Sequence, residues 1–532
     1  MGYSTSRGGI LIPLVLYLTA CGSGASSSPP IPPPVPPAVT VKIGGTVSGL
    51  TGSLVLRDNG ADDLTVSHDG AFTFPTLLGS GVAYAVSIGT QPANQTCAVT
   101  NGTGMTASAD ITNVSVTCTT PVDPAISSIS PDHGPSLTRV TITGSGFGAT
   151  PADNAVTLNN KECSIVSGTA TTLTIEIPPQ AGSGNLIVEV PASHKTALSS
   201  LFTYELSAVN VITIAGSDFG YQDDVGTNAR FAFPVGIAMN VGGTSLFVGD
   251  TANHRVRAVD LLTSTVTTFA GSTEGSTDGT GTQALFSSPT ALAVDQVFGD
   301  LWVVDAVNNN IRKVTPGGVV TTEVSAGAGL SVPSGISISH GVAISDTANN
   351  RIVGLSSTFG IEVLAGGSVG DHDGNGSSAQ FQFPADVADC PNLDLFVADE
   401  FNAEIRRISL NADVTTYAGA PSGLSFQDGP ASEARFLHPR GITCDDFGNL
   451  YVADTGNNKI RLITPSGMVM TLAGSSIGFA DGEGSTAKFS QPQRIALGVR
   501  LFGKYPDGND MRGTVLYVTD MSNHRIRQID WE

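Results

Sequence analysis

Six times the chain sets an aspartate three positions ahead of an asparagine: Asp250 and Asn253, Asp305 and Asn308, Asp346 and Asn349, Asp399 and Asn402, Asp454 and Asn457, Asp520 and Asn523. In the first copy, DTANHRVRAV, an acid, an amide, an imidazole and two guanidinium groups fall within eight positions, the raw material of a metal or acid–base site. A site used once should occur once. Repetition suits instead a tight turn between two strands, in which Asp and Asn side chains cap backbone amides and Asn accepts a left-handed conformation. The position after Asn is His254, Asn309, Asn350, Ala403, Asn458 and His524, and chemistry that depended on imidazole would not survive Ala and Asn there. The motif is therefore expected to be structural, with His254 and His524 the individual residues left over.

A second recurring stretch reads GYQDDVGTNARF, GSTDGTGTQALF, GDHDGNGSSAQF, SFQDGPASEARF and GFADGEGSTAKF, each with Pro three residues after its final Phe. The third version, Asp371-x-Asp373-x-Asn375-Gly376, fits the first half of an Asp-x-Asp-x-Asn-Gly calcium loop. Its twelfth position is Gln382 rather than a bidentate Glu, and the sister loops keep one acid each, Asp223, Asp278, Asp428 and Asp481. The shared Asp-Gly pattern reads as turn chemistry and the shared Phe as a core anchor. Calcium at Asp371, Asp373 and Asn375 is the alternative.

The elements that position these residues are strands. Before each Asp of the six runs a β-rich stretch such as SLFVG, LWVV, LFVA, LYVA or VLYVT, and after each of the first five comes another, as in TVTTFAGS and MVMTLAGS. Seven residues after the Asp sits Arg in five copies, Arg257, Arg312, Arg406, Arg461 and Arg527, with Val353 the exception. This unit resembles the NHL repeat, and the resemblance implies a β-propeller of four-stranded blades. The last copy stops before supplying an outer strand, while VNVITIAGS, Val209 to Ser217, matches an outer strand and has no preceding blade. Pairing the two closes a six-bladed ring without a raw edge and makes the first and last blades, which carry His254 and His524, neighbours.

Propeller hydrolases and lyases hold a metal in the central channel with carboxylates, amides or histidines from several blades. The inner strands here are GIAMN, ALAVD, GISIS, DVADC, GITCD and RIALG, so Asn240, Asp295, Asp389 and Asp445 form a loose acidic ring whose one histidine neighbour is His340. A lactonase-like, metal-dependent hydrolase or lyase using Asp295, Asp389 and Asp445 with zinc or calcium is thus the alternative function. No Gly-x-Ser-x-Gly elbow and no phosphate-cradling Gly-Lys-Ser occurs. RNA recognition, known for some NHL propellers, uses a basic face, whereas residues 207–532 hold 34 acids against 19 bases.

Residues 39–120 alternate at period two with Asn-Gly and Asp-Gly turns, as in TVSGLTGSLVLRDNG, which suits an antiparallel sandwich. This stretch is similar to a module of bacterial surface lipoproteins that closes on a Gln-Thr-Cys to Val-Thr-Cys pair, here Cys97 and Cys118. Residues 121–206 contain Ile-x-Pro-x-x-Gly-Pro followed by VTITGSGFG, Ile129 to Phe147, and resemble an IPT/TIG domain, an immunoglobulin-like sandwich. Ahead of both, residues 1–20 hold Arg7, the apolar run Ile10 to Leu18 and then Leu18-Thr19-Ala20-Cys21, which resembles a lipobox and implies acylation of Cys21. Residues 21–38 are a Ser- and Pro-rich tether.

In an oxidising compartment Cys97 and Cys118, which flank one expected hairpin, are the first candidate disulfide. Cys390 and Cys444, at equivalent points of successive repeats but one residue out of register, are the second, and Cys163 remains as a buried thiol. The formal charge of −21 repels nucleic acid and anionic headgroups. The expectation is an all-β protein: two N-terminal β-sandwich domains, then a six-bladed propeller closed by its own N-terminal strand. It is expected to be a lipid-anchored protein of the bacterial envelope, at the outer membrane or cell surface. Its expected role is non-catalytic and without a cofactor, the propeller presenting a protein- or glycan-binding surface on a sandwich stalk.

Overall fold

The computed structural model describes residues 39–531 except 94, 121, 207–208, 357–359, 422–424 and 505–509, with side chains of 500–512 left aside. The leader, Cys21 and the tether lie outside the described residues. Two compact units result, residues 1–120 and 121–532.

In the first unit, two four-stranded sheets enclose a core that includes Ile43, Leu54, Leu56, Phe74, Val114 and Val116. Strands Thr96–Thr100 and Ile111–Thr119 run antiparallel with Cys97 directly opposite Cys118, and the two are joined at an S–S distance of 2.03 Å.

The second unit begins with another sandwich, of four- and five-stranded sheets around Val140, Ile142, Leu173, Ile175, Leu186 and Phe202. Cys163 is buried there with a free thiol, which burial pushes up in pKa.

The rest of the unit is a six-bladed propeller. Blade 1 is built from Pro234–Met239, Ser245–Asp250, Arg255–Asp260 and Thr265–Gly271, each antiparallel to the next. Apolar residues of adjacent blades interdigitate between the sheets, Val256, Phe286, Leu292 and Val303 for example forming one cluster across blades 1 and 2. Blade 6 lacks an outer strand of its own. Asn210–Ala215 supplies it, pairing with Arg525–Asp530 in the register Val211 to Ile529. Val211 is fully buried beside Tyr451 and Trp531, so the ring closes through apolar packing as well as hydrogen bonds.

In five blades the inner strand starts at its proline and pairs with the Asp at the end of the second strand, as Pro234 does with Asp250, and in blade 3 it starts at Gly335 opposite Ser345, so every Asp-x-x-Asn turn lies on one face. The long Asp-Gly loops enter blades on that face too. The immunoglobulin-like sandwich packs on the opposite face, against blades 5 and 6. The amide of Gln180 donates to the carbonyls of Thr514 and Trp531 at 2.7 and 2.8 Å, Asn160 donates to the Phe447 carbonyl at 2.9 Å, and Ser466 to the Ser183 carbonyl at 3.0 Å. This sandwich and the propeller are therefore one body rather than a stalk and a head joined by a hinge.

Candidate functional site: the repeat motif and the channel

Asp250 is wholly buried and spends both carboxylate oxygens on the blade. Oδ1 accepts the Ala232 N–H at 2.7 Å, and Oδ2 accepts Asn253 Nδ2 at 2.8 Å and Arg257 Nη1 at 2.7 Å. The Arg257 guanidinium, also wholly buried, reaches outward to Asp223 of the long loop, Nε to Oδ1 at 3.0 Å, and donates to the carbonyls of Arg230 and Gln222. Its plane lies over the Phe231 ring at 5.1 Å.

The same arrangement recurs in Arg312 with Asp305, Asp278 and Phe286; Arg406 with Asp399, Asp373 and Phe381; Arg461 with Asp454, Asp428 and Phe436; and Arg527 with Asp520, Asp481 and Phe489. Each guanidinium is thus held by a buried turn carboxylate and a half-exposed loop carboxylate, the pairing a buried cation requires. Burial pushes the turn carboxyls up, Asp399 to about 6, while backbone N–H groups, the Asn amide and the guanidinium pull the other way.

Blade 3 accounts for its own exception. It has no Asp-Gly loop and so no second carboxylate, and Val353 stands where the others bury Arg. Arg351, two positions earlier and partly exposed, takes Asp346 through Nε at 2.6 Å instead.

Two readings from sequence are corrected here. The left-handed residue of the turn is not Asn but the residue after it: His254, Asn309, Asn350, Ala403, Asn458 and His524 have φ between 52° and 57°. In four of the six its side chain then latches the next blade. Asn309, Asn350 and Asn458 accept the N–H of Val332, Phe383 and Gln491 at 2.6, 2.9 and 3.0 Å, and His524 Nδ1 accepts that of Phe233 at 3.3 Å across the closing seam. Asp373, in turn, belongs to Arg406, and Asn375 donates to the Asn411 carbonyl and to Asp413, so Asp371, Asp373 and Asn375 do not converge as calcium ligands.

The channel acids also have other work. Asp295 accepts the N–H groups of Val297 and Phe298, and Asn240 those of Thr244 and Ser245. Asp445 is buried and accepts from the Phe447 and Asn449 amides and the Tyr451 hydroxyl, while Asp389 takes the backbone N–H and ring of His340. No group of three or more His, Cys, Asp or Glu side chains with metal-holding geometry exists among the described residues. Cys390 and Cys444 are joined, with a Cα–Cα distance of 5.4 Å, and tie the inner strands of blades 4 and 5 together.

At the other end of the channel, by the prolines, lies a cluster that sequence reasoning missed because it does not repeat. Arg494 of blade 6 crosses the channel and donates to the carbonyls of Arg440 in blade 5, Ala385 in blade 4 and Ser334 in blade 3. Asp386 lies 3.4 Å from its Nη1, and burial pushes the Asp386 carboxyl up to about 6 against the pull of Arg494. Beside it Arg440 pairs with Glu400 at 2.8 Å.

Around this mouth the turn-bearing face exposes aromatic rings. Phe383, Phe401 and His438 stack edge to face, with centroids 5.1 Å apart in each pair, at the seam of blades 4 and 5. Phe219, Phe233 and His524 do so at the closing seam. Phe219 and Phe401 are 58% and 44% exposed, more than isolated core-facing rings would be. In blades 2 and 3, Val307 and Val332 occupy the positions of Phe401 and Phe383 and are exposed as well.

Comparison with known proteins agrees with this architecture. Residues 124–205 match the IPT/TIG domain family. The chain is 30% identical over 276 residues to the protein SUPPRESSOR OF QUENCHING 1, chloroplastic, of Arabidopsis thaliana, an alignment covering 46% of this chain and 26% of that protein. It is 26% identical to NHL repeat-containing protein 2 of Gallus gallus, over 66% of this chain and 45% of that one. The chain thus spans less than half the length of these relatives. Among solved structures, a protein of unknown function from Bacteroides thetaiotaomicron superposes with a TM-score of 0.50 at 20% identity, covering 77% of this chain and 98% of that one, a likeness of fold. Fold and likenesses define the class: a six-bladed β-propeller protein whose repeats are similar to those of NHL repeat-containing proteins and whose residues 124–205 match the IPT/TIG domain family.

Proposed function

We propose that the protein is a non-catalytic binding protein of the cell envelope, anchored through Cys21, whose propeller docks a protein or glycan on the turn-bearing face. The observation that carries this reading is the pair of exposed aromatic and histidine clusters flanking the plugged channel mouth, on the face that the IPT/TIG sandwich leaves free. Such rings supply apolar contact area at low entropic cost, and the Arg440–Glu400 pair beside Phe401 adds fixed donors and acceptors. The carboxylates that a hydrolase or lyase would need are engaged by guanidinium groups, backbone amides or His340 instead. The test is a glycan array and an envelope-protein pull-down with the wild type and the Phe383→Ala/Phe401→Ala double variant. Retention of a partner that the double variant loses is expected. Equal retention by both, or metal-dependent turnover of lactones sensitive to chelators, would overturn the reading.

A further inference from the structure

Blade 3 ends in an open edge. In the other five blades the loop that enters the blade lays a two-residue strand along the outer strand. Asp224–Val225 lies beside Val266, Gly279–Thr280 beside Val320, Gly374–Asn375 beside Val414, Gly429–Pro430 beside Val469 and Gly482–Glu483 beside Val211. The connection into blade 3, residues 325–334, supplies no such strand. Among the described residues its outer strand, Gly360–Gly366, pairs with Arg351–Ser356 alone.

The edge has also changed its chemistry. Opposite the buried repeat arginine the five covered blades carry Thr213, Thr268, Thr322, Thr416 and Thr471, each donating its hydroxyl to the loop aspartate. In Thr268 and Thr322 the backbone N–H goes to that aspartate too, at 3.0 and 3.2 Å. Blade 3 keeps the register, Val363 opposite Val353, but threonine, arginine and loop aspartate are all gone. Val363 therefore turns the same N–H outward where no loop carboxylate exists, and its side chain is 43% exposed. Two positions earlier, where the covered blades bury a valine to at most 2% exposure, Ile361 is only half-buried. An outer strand with outward N–H groups and apolar side chains is a template for one more strand.

The edge also specifies that strand. Ile361 and Val363 share one face with their cross-strand partners Leu355 and Val353, so the residues laid beside them are apolar. Glu362 stands exposed on the other face with no ion pair among the described residues, which suits a basic neighbour. The formal charge of −21 sets two copies of the chain against each other and favours a basic partner over a second copy.

We infer that the outer edge of blade 3 receives an extended, apolar segment of a partner protein with a basic residue beside Glu362, adding the strand that the sister blades supply for themselves. This edge is separate from the aromatic clusters and does not depend on the reading given for the turn-bearing face.

The probe is the peptide acetyl-TVKVTV-amide, whose valines fall on one face and whose lysine falls on the other. In excess over the intact protein it should slow amide exchange across residues 360–366 by roughly tenfold. The same peptide methylated on alternate backbone nitrogens, and acetyl-TVEVTV-amide, should give little protection. Val363→Pro removes the outward N–H at an edge position, where proline is tolerated, and Val363→Lys sets a charge against the apolar face; each should abolish the protection. If Val363→Pro fails to fold, Val363→Lys, at an exposed position, decides. The Phe383→Ala/Phe401→Ala variant should be protected as the wild type is. No protection by the lysine peptide, equal protection by either control peptide, or protection unchanged in the folded Val363 variants would overturn the inference. So would a dimer in sedimentation that Val363→Lys dissolves, because a second copy would then hold the edge.

Discussion

Arg461 Nη1 donates to Asp454 Oδ2 at 2.7 Å, and neither side chain exposes any surface. A buried ion pair of this kind is costly to desolvate and is held only by further bonds. Here Leu437 N–H and Asn457 Nδ2 also bond the carboxylate, while Asp428 and two carbonyls engage Nη1 and Nη2 of the guanidinium, leaving its buried Nε without an acceptor among the described residues. Five blades carry this network, and in each it joins the second strand, the third strand and the long loop. The polar crowding that resembles a catalytic site is thus the cross-brace of a blade.

If the brace needs two carboxylates, blade 3 should reject it. Val353→Arg places a guanidinium at a fully buried position where Asp346 is already taken by Arg351 and no loop carboxylate exists. The substitution should cost about 3 kcal/mol or more in a denaturant melt. Wild-type stability would show that a single carboxylate suffices.

The closing seam should be acid-sensitive through His524. Burial and the neighbouring Arg525 lower its pKa from 6.5, against Asp218, and the ring Nδ1 accepts the Phe233 N–H. The unfolded chain then takes up a proton first as pH falls, so stability contributed here is full above about 6.5 and declines below it. Asp386 and Glu404, whose carboxyls burial raises to about 6 and about 7, titrate with the opposite sign, so the readout is the difference between two proteins. His524→Asn, which keeps an acceptor as Asn309, Asn350 and Asn458 do, should match the wild type at neutral pH and exceed it below pH 6.5 in thermal melts. Parallel pH profiles would remove the His524 latch from the account.

Two seams lack the latch: the buried His254 Nδ1 has no hydrogen-bond partner among the described residues, and the other seam begins at Ala403. Ala403 occupies the left-handed position at φ 57° with no side-chain acceptor, and His438 of the next blade rests on Phe401 instead. Ala403→Asn suits the backbone better and offers an oxygen to His438 N–H, so it should stabilise by about 1 kcal/mol in equilibrium unfolding. A loss of stability would mean that the Phe401 stack has taken over the space.

How much of this was legible in the sequence follows from repetition. Asp, Asn, Arg and Phe recur at fixed spacing, so the six blades, the closing strand Val209 to Ser217 and the structural nature of the motif could be read from the chain alone. The partner of each arginine could not, because Asp223 lies 34 positions before Arg257 and only the fold brings them together. Its one sequence trace was blade 3, where the loop and the arginine vanish together. The left-handed residue was misplaced by one position because Asn is the habitual occupant and stands beside it. Arg494 and Gln180 occur without copies, and the position before the inner-strand proline holds Phe233 and Phe383 in two blades but Ser288, Val332, His438 and Gln491 in the others, so no strict periodicity pointed to these residues.

The most direct measurement is the equilibrium unfolding of Asp454→Asn. The substitution keeps the shape of the side chain but faces an amide nitrogen, or a neutral oxygen, towards Asn457 and the buried Arg461. The account expects a loss of about 3 kcal/mol with the folded protein keeping its ligands. Unchanged stability together with lost binding or turnover would contradict it, and would return the repeated aspartate to chemistry.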